Sequence, residues 1–119
     1  MQKTLKIKRG DIFLVNLDPT IGKEIKKTRP TVIVQNNVFN KYSDLVIVCP
    51  ITSTISHGET RIFIKKGEAG LDSDSIILTQ QIRCIDKKRL IKKLGRIKPE
   101  TIKKINFALK IALELIPIG

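Results

Sequence analysis

The chain has no tryptophan, one tyrosine and four phenylalanines among its 119 residues. So few aromatic rings argue against an extended base-stacking platform, in which each base needs its own aromatic face. His57 is the only histidine, which excludes two-imidazole nuclease chemistry within one chain; in its Ser/Gly-rich setting it reads as an ordinary loop residue. There is no P-loop, no GxGxxG, no HExxH and no carboxylate cluster with two-metal spacing, so neither a cofactor nor a tightly held metal is expected. Cys49 and Cys84 lie in apolar runs without CxxC spacing. They read as buried, reduced thiols of a cytoplasmic protein, with pairing left open. Met1 to Gly10 carries charge but no apolar core of a secretion signal, and no stretch approaches the roughly 20 apolar residues of a membrane span.

Acidic residues are also scarce, 11 against 23 basic ones, which leaves a net charge of +12. For so short a chain this excess points to a polyanionic partner, nucleic acid or an acidic protein. The 41% hydrophobic share is that of a folded globular chain, and the length suits one domain over residues 1–119.

The pattern predicts strands first and a helix last. Asp11 to Leu17 is rich in β-formers and stops at Asp18-Pro19; a basic loop follows from Thr20 to Thr28. Pro30 begins or edges a strand over Thr31 to Gln35, Asn36 to Asp44 is a connector, and Leu45 to Cys49 is a strand closed by Pro50. Ile51 to Thr60 reads as loop, Arg61 to Lys65 as an edge strand, and Ser75 to Ile85 as the longest β segment. Lys87 to Leu94 is predicted as a short helix ended by Gly95. Pro99 at a first helical position and Glu100 in the first turn open the terminal helix, finished by Pro117 and Gly119. Its apolar stripe (Ile102, Ile105, Ala108, Leu109, Ala112, Leu113, Ile116) is widened by Phe107, Ile111 and Leu115. Deep packing and contact with a second subunit explain that width equally well. Short strands without a βαβ rhythm favour a mainly β, α+β architecture, a small curved antiparallel barrel with a C-terminal α-helix.

Two short runs stand out as candidate chemistry: Thr28-Arg29-Pro30 opening one strand and Pro50-Ile51-Thr52-Ser53 closing the next. A guanidinium and a hydroxyl can converge on one phosphate if a loop folds over, but neighbouring strands need not bring them together.

The blocks Arg9-Gly10-Asp11-Ile12, Asn16-Leu17-Asp18-Pro19, Gly22 to Arg29-Pro30, Val34-Gln35-Asn36 and Asn40-Lys41-Tyr42-Ser43 occur in order with Pro50-Ile51-Thr52-Ser53, Asp74 to Leu78 and Gln81 to Lys87. Together they resemble the MazF/PemK family of toxin endoribonucleases over nearly the whole chain. The resemblance implies an SH3-like barrel, a homodimer, cleavage of single-stranded RNA (often mRNA) at short sequences, and neutralisation by a cognate antitoxin. It places Arg29 and Thr52 at the catalytic centre, Glu24 in a flexible loop, and Asn36, Ser53 and Gln81 along the substrate groove. Members with an acidic residue just before the Gln-Ile-Arg block differ from this chain, which has Gln80 there.

Metal-free cleavage would use the substrate's 2′-OH as nucleophile, leaving a 2′,3′-cyclic phosphate and a 5′-OH. Arg29 is expected to hold the non-bridging oxygens bidentately, and Thr52 to hydrogen-bond the phosphate or the 2′-OH. Glu24 is the spare base, its alternative being merely to order its loop, which is preferred. Lys23, Lys26, Lys27 and Thr28 would contact phosphates, which positions RNA without reading it, while Gln81 and Asn36 would read bases. The second basic cluster (Lys87, Lys88, Arg89, Lys92, Lys93, Arg96, Lys98) is either a solvated face or a surface for an acidic antitoxin. Two other classes compete: a toxin of the same fold that poisons a topoisomerase by protein binding, and a plain RNA-binding module. The first has no need of Arg29 with Thr52.

Overall fold

The computed structural model describes residues 6–118; residues 1–5 of the charged N-terminal stretch and Gly119, expected to help end the terminal helix, lie outside the described residues. Seven strands and two α-helices follow in the order β1 (Asp11–Asn16), β2 (Thr28–Ile33), α1 (Asn37–Tyr42), β3 (Leu45–Thr52), β4 (Arg61–Ile64), β5 (Ser75–Leu78), β6 (Arg83–Asp86), β7 (Leu90–Arg96) and α2 (Pro99–Ala112). All strand pairs are antiparallel, in the order β4-β5-β3-β2-β1-β7, with β6 also on β3. The mainly antiparallel sheet with a C-terminal helix is therefore as expected.

Alternation along β1 sends Ile12 to one face of the sheet and Phe13 and Val15 to the other. Ile12 joins a core with Val32, Cys49, Ile51, Ile77 and, from α2, Ile105 and Ala108. Phe13 and Val15 join Leu17, Ile33, Val46, Val48, Ile85 and Leu90. Pro99 opens α2 as predicted, and the Glu68 carboxylate caps it from another element, accepting from Lys98 N at 3.1 Å and Thr101 Oγ1 at 2.7 Å. Ile105, Ala108 and Ile111 are buried, whereas Phe107, Leu113 and Leu115 from the predicted stripe stay exposed.

Several boundaries differ from the sequence reading. β2 starts at Thr28, and Pro30 is tolerated because beside it the strand pairs β1, the β3 ladder beginning only at Thr31. The expected connector after it contains α1, capped by Asn36 and fastened by the buried Gln35–Asn40 pair at 3.2 Å. β3 runs through Pro50 to Thr52, so Ile51 and Thr52 are strand residues and buried. The long segment from Ser75 is cut in two: β5 pairs the end of β3 and β6 its beginning, with the register slipping by three residues across the 3-10 turn Thr79–Gln81.

The predicted helix over Lys87 to Leu94 is instead a 3-10 turn followed by β7. Pairing with β1 outweighs the helical propensity of its lysines and leucines, and two bulges in that ladder hide the period of two. Cys84 is exposed rather than buried, and both cysteines are free.

Candidate nucleic-acid site at the open end of the β2–β3 ladder

Arg29 is the second residue of β2 and Thr52 the last of β3. The paired positions Thr31–Pro50, Val32–Cys49 and Ile33–Val48 define a register. The ladder ends at Thr31–Pro50; beyond it Arg29 pairs Val15 of β1 and Thr52 pairs Ile76 of β5, so the two residues flank the point where β2 and β3 part. Their placement at one end of the ladder follows from its register, which the spacing of the two motifs did not determine. Thr52 is buried, and its Oγ1 accepts from Thr54 N at 3.1 Å as the chain turns into the following loop. The hydroxyl proton remains a donor. Arg29 is half-buried, and its Nε donates to the carbonyl of Lys26 at 2.8 Å, so the side chain curls back towards the β1–β2 loop.

That loop carries exposed Lys23, Lys26 and Lys27, with exposed Thr28 at its end. Lys27 sits in the left-handed region at φ 72°. Glu24 accepts from Ile21 N at 2.6 Å, so its carboxylate orders the loop it belongs to. Across from it Gln81 accepts from Ile25 N at 2.7 Å. Between them opens a cleft of roughly 530 Å³ lined by Lys23, Glu24, Ile25, Gln80, Gln81, Ile82 and Arg83. Ser53 is exposed immediately after Thr52. Asn36 is not brought to this end: it follows the far end of β2, and its Oδ1 accepts from Val38 N at 2.7 Å as the cap of α1.

The second basic cluster divides. Arg96 and Lys93 bind the fully buried Asp11 carboxylate at 2.9 and 3.3 Å. Lys87 donates to the carbonyl of Asn40 at 2.6 Å, and Arg89 to those of Asn16 and Asp18. These four are therefore tied into the fold by one end, while Lys93 and Arg96 keep about half of their side chains at the surface, 48% and 47% exposed. Their roles had no signal in the sequence, because each partner is a distant backbone carbonyl or carboxylate. Among the described residues no three His, Cys, Asp or Glu side chains are grouped to hold a metal ion, and no helix is long and apolar enough to cross a membrane.

Burial pushes the Cys49 thiol up to about 12, opposed by the positive charge of Arg9. A thiol reacts as its thiolate, so Cys49 stays protonated and inert at neutral pH whereas exposed Cys84 is accessible. A thiol reagent should modify one cysteine per native chain and both after denaturation. Fast labelling of both in native buffer would contradict this assignment.

Residues 8–113 match the family described as PemK-like, MazF-like toxin of type II toxin-antitoxin system, and the chain belongs to that family. It is a homologue of the endoribonuclease MazF of Staphylococcus saprophyticus, 43% identical over 111 residues that cover 92% of each chain. An endoribonuclease from a mycobacterial species, solved in complex with its cognate antitoxin, superposes with TM-score 0.80 at 25% identity, covering 95% of this chain and 100% of that one. MazF from Deinococcus radiodurans shares the fold, with TM-score 0.82 at 18% identity and the same coverage.

Proposed function

We propose that the chain is a sequence-selective endoribonuclease toxin that cuts single-stranded RNA, mRNA foremost, without a metal ion. The observation that carries this reading is that Arg29 and Thr52 lie at the same end of the β2–β3 ladder, beside a lysine-rich loop. In the reaction, the substrate's 2′-OH passes its proton to solvent water and its oxygen attacks the adjacent phosphorus while the bond to the 5′-oxygen breaks. The departing oxygen takes up a proton, leaving a 2′,3′-cyclic phosphate and a 5′-OH. Arg29 stabilises the charge gathering on the non-bridging oxygens, first electrostatically and then as a proton source for the leaving group. A guanidinium is a reluctant base, which is why the order of duties is this one. The Thr52 hydroxyl donates to the phosphate or orients the 2′-OH. Glu24 is the only acidic residue lining the cleft, but its bond to Ile21 N favours a loop-ordering role.

Lys26, Lys27 and Thr28 meet phosphates on the approach to Arg29, and Ser53 extends the polar rim beyond Thr52. In the cleft, the amides of Gln80 and Gln81 suit base edges, and Ile25 and Ile82 suit base faces. With Asn36 occupied at the far end of β2, base reading falls to these amides.

A cognate antitoxin is the natural inhibitor, since the mycobacterial relative was solved with its own. Exposed Phe63, Phe107, Leu113, Leu115 and Ile118 supply apolar surface for a homodimer. The free thiol at Cys49 and the RNA substrate fit a cytoplasmic setting.

The test is to incubate the protein with mixed single-stranded RNA in EDTA and map the ends. Discrete cuts bearing cyclic phosphate are expected. Intact RNA with tight binding would make the chain a binding module, and intact RNA without binding would point to a protein-directed poison.

A further inference from the structure

Three successive carbonyls at the entrance to the β1–β2 loop each accept from a guanidinium. Arg89 donates to Asn16 O at 3.1 Å and to Asp18 O, and Arg83 donates to Leu17 O at 3.1 Å. Both arginines come from the segment around β6, more than sixty residues away in sequence. The same stem is tied to the exit of the loop: Leu17 N donates to Lys27 O at 3.0 Å, and the Asp18 carboxylate accepts from Lys27 N at 3.1 Å. Lys27 holds φ 72°, a conformation a lysine keeps only when its surroundings impose it, and Asp18 supplies that constraint. The next carbonyl, that of Lys26, accepts from Arg29 Nε at 2.8 Å.

We propose that Arg83, Arg89 and Asp18 are positioning residues that fix the guanidinium of Arg29 through the loop stem, so that two arginines in a basic protein act on its own backbone rather than on RNA phosphates. The proposal rests on the RNA-cleavage reading for its consequence and on these hydrogen bonds for its geometry. A guanidinium that must meet a transition state is useful only where it is held, and a displacement of about 1 Å can cost on the order of a hundredfold. The bond at Nε leaves the two terminal nitrogens of Arg29 as the fork for a phosphate.

The test compares Arg83→Met, Arg89→Met and Asp18→Ala with the conservative Arg89→Lys and Asp18→Asn, which keep a donor and an acceptor respectively. Two readouts are taken: steady-state cleavage of a defined RNA at several salt concentrations, and the ¹⁵N–¹H signal and solvent exchange of Arg29 Nε in the free protein. The first three variants should lower kcat about ten- to a hundredfold. In Arg89→Met and Asp18→Ala KM and its salt dependence should stay at the wild-type values, and in all three the Nε proton of Arg29 should exchange faster. Arg89→Lys and Asp18→Asn should restore most of the rate and the protection. An unchanged kcat, with weaker binding and a salt slope shallower by about one for each arginine removed, would overturn the proposal, because the arginines would then be phosphate contacts. Unaltered protection of the Arg29 Nε proton in every variant would also overturn it. If Arg83→Met does not fold, the Asp18→Ala and Asp18→Asn pair decides alone, since Asp18 is exposed and outside the sheet. If the wild-type protein cuts no RNA, the cleavage reading fails, while the exchange data still decide whether the stem holds Arg29.

Discussion

Arg29→Lys should lower RNA cleavage about 10²–10³-fold while leaving the thermal midpoint where it was. Lysine keeps the positive charge, so RNA binding and its dependence on salt should change little, and the loss should appear in kcat. What lysine cannot copy is the geometry. The guanidinium spends Nε on the Lys26 carbonyl and still offers two terminal nitrogens in a fixed plane. An ammonium is a point charge on a flexible stem, unable both to anchor itself and to fork. The fold should tolerate the change, because Arg29 lies at the margin of the second core beside Val15 and makes one hydrogen bond to an exposed loop. Cleavage at the wild-type rate by purified Arg29→Lys would refute a bidentate role; Arg29→Ala cutting normally would remove the residue from the site altogether.

The largest effect on stability is expected from Gly95→Ala, about 3 kcal/mol and a fall in melting temperature on the order of 10 °C. A Cβ at Gly95 would lie 2.5 Å from the carbonyl carbon of Ala69 and 2.6 Å from its oxygen. Opposite it, a Cβ at Gly70 would lie 2.3 Å from the carbonyl oxygen of Leu94, and Gly70 has φ +78°. Here the turn after β4 packs on β7, bringing together the two strands that end the sheet order. Neither side can yield easily. Ala69 is itself left-handed at φ 54°, and Glu68 next to it caps α2 through Thr101 and Lys98. Moving the turn would uncap the helix, and moving β7 would disturb the ion pairs of Asp11 with Lys93 and Arg96. A midpoint within about 2 °C of wild type would mean that this approach is looser than the structure shows.

Much of the fold was legible where local signals agreed. β1 announced itself by β-branched and aromatic residues and stopped at Asp18, and α2 by Pro99 and its stripe. The errors came where long-range pairing overrode local preference. Pro50 reads as a stop, yet β3 continues through it because β2 on one side and β5 beyond it hold the chain extended. Lysines and leucines from Lys87 onward favour a helix, but β1 offers them an edge to pair with. Ser75 to Ile85 reads as one strand because its apolar content is continuous; only the three-residue slip along β3 divides it. Of the candidate site, Arg29 and Thr52 were legible as residues, whereas Arg83, Arg89 and Asp18 were not. A guanidinium aimed at a backbone carbonyl leaves no mark on the sequence around either partner.

By itself the sequence determined which chemical groups are present: the guanidinium of Arg29, the hydroxyl of Thr52, the lysines of the loop, and the poverty in histidine and acidic residues that narrows the chemistry. It also determined the family, through ordered blocks spanning nearly the whole chain. Only the tertiary structure decided that Arg29 and Thr52 lie at the same end of the β2–β3 ladder and that Lys87, Arg89, Lys93 and Arg96 are engaged within the fold. The reason is physical. A side chain's chemistry is set at its own position, but what it faces is set by strand register and loop anchoring. Those depend on partners tens of residues away, which no local pattern encodes.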